Sequence, residues 1–186
     1  MEFIDQIRIL DERLFEWIFV YLNPNWLANS CDFLVREYNL VPVLAVFFIF
    51  YARKDPKKAL LFFIIVLVTL GISELTVSAL KEIFGRPRPT TYLGIHLNTT
   101  SLSFPSAHAF NTMAQAALWS YWLGPKRGLF FSISFSVGIS RMLARYHFPG
   151  DILGGWISGL VFGLLIVALV KAILNKYDKQ NRYTRN

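Results

Sequence analysis

Residues Ala59–Phe84 read ALLFFIIVLVTLGISELTVSALKEIF, and this stretch decides the fold class. Before its terminal Lys81-Glu82 pair it carries one charged residue, Glu74. A helix of about 20 predominantly apolar residues crosses a bilayer core, so the stretch predicts a membrane span. Four more apolar segments lie around it: Leu40–Tyr51, Ala109–Leu123, Leu129–Tyr146 and Ile152–Leu174. The first is short for a span, and its helix is expected to reach back through Phe33 and Leu34. The expected fold is therefore all-α: an integral membrane helical bundle of about five transmembrane helices.

The rest of the chain agrees with lipid as the solvent. Its 186 residues are 54% hydrophobic and 17% charged, against about 25% charged in a soluble domain. Disorder and low complexity are excluded by the same composition. One cysteine, Cys31, excludes an internal disulfide and a Cys-rich zinc site. At the N-terminus, Phe3, Ile4, Ile7, Leu10, Leu14, Phe15, Ile18 and Tyr21 recur at helical spacing, with Asp5, Arg8, Asp11 and Glu12 between them. That pattern predicts an amphipathic helix lying on a membrane surface, and its acidic start is unlike a signal peptide. Asn23-Pro24-Asn25 breaks it, and a second polar–apolar stretch covers Trp26 to Glu37. The single domain is thus divided into an interfacial region 1–38, a transmembrane core 39–174 and a tail 175–186.

The formal charge of +7 separates into populations. Arg53, Lys54, Lys57, Lys58, Lys126, Arg127, Lys171, Lys176, Lys179, Arg182 and Arg185 flank the spans on one side, which the positive-inside rule makes cytoplasmic. The first 38 residues hold three Arg and seven carboxylates, which suits the other side. The Gly85–Phe104 loop and the Tyr146–Asp151 turn then lie outside, and topology accounts for most of the charge without nucleic acid. Lys81, Arg86 and Arg88 emerge with the second span, Arg141 and Arg145 with the fourth. Ser106 and His108 open the third span, and His147 and Asp151 join the last two. Ionisable groups gathered near a bilayer point to function, and three cations beside a helix N-terminus suit a phosphate.

Lys81-x6-Arg88-Pro89, Pro105-Ser106-Ala107-His108 and Ser140-Arg141-x5-His147-x3-Asp151 resemble the three-part signature of the type 2 phosphatidic acid phosphatase family. The resemblance implies a membrane lipid phosphatase; the family's soluble haloperoxidase branch is disfavoured by the five apolar segments. It implies His147 as nucleophile, Asp151 as the partner of its other ring nitrogen, and His108 as acid and then base. Lys81, Arg88 and Arg141 would hold the phosphate with Ser106 and the backbone at Ala107, with no metal and no cofactor. Ala107 stands where the family usually has Gly, so an ordinary helical conformation is expected there. The family's frequent extra N-terminal span has no counterpart, which leaves five.

The resemblance also implies a compact bacterial-type enzyme of the inner membrane, with its site facing the periplasm. Its candidate substrates are the 1-phosphate of lipid A, placed first, phosphatidylglycerol phosphate and undecaprenyl pyrophosphate. The rivals are a lipid-to-lipid phosphotransferase with the same site and a non-catalytic transporter or anion-binding membrane protein. No obligate protein partner is implied. Outside the signature, Arg86 reads evenly as an extra phosphate contact and Arg145 as a headgroup anchor. Glu74 reads as a hydrogen bond to a neighbouring helix. Gly155, Gly159 and Gly163 read as a close helix-packing face, and the five Trp as interfacial anchors, some also packing internally. His96 reads as a surface residue, Asn98-Thr99-Thr100 as a cheap match to a glycosylation sequon, and Cys31 as inert.

Overall fold

The computed structural model describes residues 2–34, 48–49, 52–53, 55–89, 102–124 and 127–183. Among these the regular structure is helical: α1 (Glu2–Tyr21), α2 (Asn25–Leu34), α3 (Pro56–Phe84), α4 (Ala107–Leu123), α5 (Arg127–Leu143) and α6 (Pro149–Tyr183). Most of Leu40–Tyr51, with His96 and the sequon, lies outside the described residues. Two helices, α3 and the Pro149–Lys176 part of α6, are long and apolar enough to cross a membrane. Helices α4 and α5 have 17 residues each, close to the lower limit for a span. The last helix continues past Leu174 to Tyr183, so most of the expected tail is helical.

Local chemistry sets the ends of α3. Asp55 accepts a hydrogen bond from the Lys58 N–H at 3.1 Å, and Pro56 starts the helix. At the other end Gly85 takes the left-handed conformation at φ 59° and donates its N–H to the Lys81 carbonyl. Ser106 caps α4, and Ala107 is its first residue in ordinary helical geometry, as expected. Pro149-Gly150 opens α6: the Asp151 and Ile152 N–H groups both bond the Phe148 carbonyl.

A glycine seam joins α4 to α6. A Cβ on Gly159 would lie 2.3 Å from the Phe110 carbonyl oxygen, and one on Gly163 would lie 2.8 Å from that of Ala114. Gly155 meets the Ser106 carbonyl oxygen at 2.7 Å in the same sense. The three glycines are thus the packing face that their spacing predicts. Beyond the seam, Phe62 of α3 stacks on Trp122 and meets Trp119 edge-on, with Leu118 buried beside them. Asn111 of α4 donates to Glu74 of α3 at 2.8 Å, the interhelical bond expected of that carboxylate. Trp119 is buried, whereas Trp17 and Trp26 are exposed, which divides the tryptophans as expected.

Helices α3 to α6 run in alternate directions, so the end of α3, the start of α4, the end of α5 and the start of α6 meet at one pole. The N-terminal helices dock at that pole too. Arg145, at φ 67°, donates to the Asn23 carbonyl and to Asn25, and its guanidinium lies over Phe19. That corrects its reading as a mere headgroup anchor: it fastens the α1–α2 turn. Phe15 of α1 packs edge-on against Phe148 at 5.3 Å.

Candidate active site

The site begins with the turn between α5 and α6. His147 and Asp151 are fully buried, with His147 Nδ1 3.6 Å from Asp151 Oδ2. On its opposite edge, Nε2 faces the Arg88 Nη1 at 3.4 Å. The ring is thus oriented, with Nδ1 toward the carboxylate and Nε2 toward a guanidinium. Burial is the main reason that His147 is pushed down to about 4, and Arg88 and Arg141 add to it while Asp151 opposes them. The imidazole is therefore neutral at physiological pH.

Asp151 is saturated with donors. Its Oδ2 accepts from the Phe148 N–H at 2.8 Å and from the Ser103 hydroxyl in a short bond. Its Oδ1 accepts from Arg86 Nη1 at 2.9 Å. Ser103 also stands 3.5 Å from His147 Nδ1, and its backbone N–H bonds the Arg86 carbonyl at 2.7 Å. A buried carboxylate with this many partners stays ionised and cannot rotate freely.

Cations line the facing side. Lys81 Nζ, in the last turn of α3, donates to the Leu102 carbonyl at 2.8 Å. Arg88 is 8% exposed and donates to the Tyr146 carbonyl at 3.1 Å. Burial, then Arg141, bring Arg88 down to about 10, which still leaves it charged at neutral pH. Arg141 lies over the Tyr146 ring at 3.9 Å. His108, in the first turn of α4, is within electrostatic range of Arg141, His147, Arg88 and Lys81. Ser106 is buried and its Oγ accepts from the Ala109 N–H at 3.5 Å, a bond that does not use the hydroxyl proton. Its own backbone N–H bonds the Asp151 carbonyl at 3.0 Å, tying the starts of α4 and α6 together.

All the residues singled out by spacing meet at this pole, and Arg86 takes a different place from the phosphate contact considered for it. Its guanidinium lies over Phe148 at 4.1 Å and bridges Asp151 to Asp11 of α1. Behind the histidine, Arg86 forms a layer with Ser103 and Asp11, two residues that sequence reasoning missed. No local pattern marks them, since their partners lie 48, 65 and 75 residues away. The chemistry that fits is anion binding by Lys81, Arg88 and Arg141, with an oriented neutral imidazole able to attack the bound group.

The sequence pattern of the PAP2 superfamily matches residues 62–174, more than half of the chain. Phosphatidylglycerophosphatase B of Bacillus subtilis is 32% identical over 115 residues, which span 55% of each chain, little more than half of that relative's length. Undecaprenyl-diphosphatase of Sulfolobus acidocaldarius is 29% identical over 161 residues, 82% of this chain and 76% of that one. The crystal structure of a transmembrane PAP2 type phosphatidylglycerolphosphate phosphatase from Bacillus subtilis superposes with a TM-score of 0.66 at 25% identity, over 90% of this chain and 88% of that one.

Proposed function

The chain belongs to the PAP2 superfamily, and from that premise we propose that it hydrolyses a lipid phosphate ester through a phosphohistidine. The observation that carries the reading is the orientation of His147 between Asp151 on Nδ1 and Arg88 on Nε2. Lys81, Arg88 and Arg141 take the phosphate oxygens, helped by the Ser106 hydroxyl and the N-terminal backbone of α4 at Ala107. Nε2 of His147 forms a bond to phosphorus as the bond to the lipid oxygen breaks, and His108 protonates that oxygen. Asp151 stabilises the positive charge that develops on the imidazole. His108 then takes a proton from water, whose oxygen displaces Nε2 and releases inorganic phosphate. Fixed cations do the electrostatic work here, and their charge repels a divalent metal from the phosphate pocket. No cofactor is used.

The helical core crosses a bacterial inner membrane, with the pole bearing the site at the periplasmic face, and the 1–38 region lies along the interface there. Exposed Ile7, Leu10, Leu14 and Trp17 on α1 suit lipid contact. The candidate headgroups are lipid A 1-phosphate, phosphatidylglycerol phosphate and undecaprenyl pyrophosphate; the Bacillus and Sulfolobus relatives support the latter two by name. The test is phosphate release from each lipid by purified protein in detergent, with chelator present and no lipid acceptor. Turnover of at least one lipid is expected, with His147→Ala falling by about a thousandfold or more. Undiminished release by His147→Ala would overturn the mechanism; release only when an acceptor lipid is added would make the chain a phosphotransferase.

A further inference from the structure

Asp11 sits on α1, far in sequence from every residue with a chemical role above, yet it reaches the catalytic pair by two routes. Its Oδ2 accepts from Arg86 Nη1 at 2.7 Å, and the same Nη1 donates to Asp151 Oδ1 at 2.9 Å. Its Oδ1 accepts from the Gly150 N–H at 2.7 Å, in the first turn of α6 between His147 and Asp151. The fit at Gly150 is tight: a Cβ there would fall 2.7 Å from Asp11 Oδ2 and 3.0 Å from its Cγ. All the groups are largely shielded, with Arg86 16% and Asp11 11% exposed along their side chains and Asp151 at 0%. Water therefore competes weakly for these hydrogen bonds, and removing the carboxylate leaves a buried guanidinium short of a partner.

We infer that Asp11 is a positioning residue for the His147–Asp151 pair: it fixes Arg86 against Asp151 and holds the Gly150 peptide that joins the two. The amphipathic N-terminal helix is then part of the catalytic apparatus as well as a surface element. Phe15, one turn further along α1, packs on Phe148 and keeps the carboxylate over that turn. Arg86 also meets Phe148, with its guanidinium 4.1 Å from the ring centre. The inference rests on the phosphatase reading for its kinetic consequence, but its structural consequence can be read without substrate.

Three variants test it. Asp11→Asn keeps an acceptor for the Gly150 N–H and removes the charge from Arg86; Asp11→Ala removes both. Gly150→Ala leaves both charges and pushes the carboxylate away with a methyl group. Loss of a partner behind a reacting group lowers turnover by about tenfold to a hundredfold. Asp11→Ala is expected at the larger end and Asp11→Asn at the smaller, with KM changed less than about twofold. Gly150→Ala should match Asp11→Ala, and the double variant should be no worse than Asp11→Ala, because the methyl then has room. In the ligand-free protein, nitrogen NMR of labelled histidine should show His147 as one Nδ1-protonated tautomer, and a mixture in Asp11→Ala. Turnover within twofold of wild type in both Asp11 variants, additive losses in the double variant, or an unchanged tautomer would each overturn the inference. If His147→Ala retains activity, the phosphohistidine mechanism fails, and the tautomer measurement still decides the role of Asp11.

Discussion

The two ends of the α4–α6 contact are built on opposite principles. In the middle of the bundle Gly159 and Gly163 remove side chains so that backbones touch, and the packing there is by shape. At the pole, four turns away at most, the same two helices are joined by Ser106 N–H to the Asp151 carbonyl, and Asp151 collects Ser103, Arg86 and the Phe148 N–H. The seam tolerates no added volume, and the pole tolerates no lost partner. Gly155 belongs to both, since its missing Cβ would meet the Ser106 carbonyl oxygen and the Ala109 methyl.

The largest effect should come from breaking the seam. Gly159→Val places a branched side chain where a Cβ would already lie 2.3 Å from the Phe110 oxygen and 2.8 Å from its Cα. Neither is a flexible side-chain end, so the helices must separate, at a cost of about 3 kcal/mol or more. Thermal unfolding in detergent should shift strongly downward, and activity should follow the folded fraction. Gly155→Ala sharpens the contrast: it displaces the capping residue of α4, so turnover should fall further than stability does. Equal losses in turnover and folded fraction for Gly155→Ala would show that the seam and the site are one mechanical unit.

These two regions were also unequally legible in the sequence. The seam declares itself locally, because Gly155, Gly159 and Gly163 recur at four-residue spacing on one helix. The start of α6 at Pro149 and the helical conformation of Ala107 follow from the residues themselves. The signature residues could be grouped because alternating spans return each of them to one pole. The layer behind them could not. Arg86 stands out as a cation near the signature but its partner does not, Ser103 is an ordinary loop residue until the fold brings Asp151 to it, and Asp11 differs in no local way from Asp5. Arg145 was misread for a related reason: its left-handed backbone and its bonds to Asn23 and Asn25 depend on a hairpin 120 residues earlier.

A titration probes the pole without unfolding the seam. In the ligand-free protein His147 should titrate at about 4 instead of its ordinary 6.5, followed by histidine NMR. Arg88 disfavours the imidazolium, so Arg88→Gln should raise the value; Asp151 favours it, so Asp151→Asn should lower it. The sign for stability follows. The folded protein resists a proton that the unfolded chain accepts, so the contribution of neutral His147 is complete above pH 6.5. It is lost as pH falls from 6.5 toward about 4. A value near 6.5 with little response to either substitution would mean that the ring is solvated and the pole far looser than its hydrogen bonds imply.

The smallest effect is expected where the seam's own surroundings turn polar. Glu74 accepts from Asn111 at 2.8 Å, linking α3 to α4, and the residue is otherwise exposed on the outer face of α3. Interhelical hydrogen bonds of this kind contribute about 0.6 kcal/mol on average, since separated helices find other partners. Glu74→Gln keeps a carbonyl acceptor for the Asn111 amide and removes the ionisable group, so unfolding should change by less than about 1 kcal/mol. Glu74→Leu loses the bond and leaves a polar amide behind, but it also takes a carboxylate off a face turned to lipid. The two contributions oppose each other, and its effect should be similarly small. A loss in Glu74→Leu as large as that of Gly159→Val would mean that α3 is held by this one bond, not by Phe62 against Trp119 and Trp122, and would move the mechanical centre of the bundle away from the glycine seam.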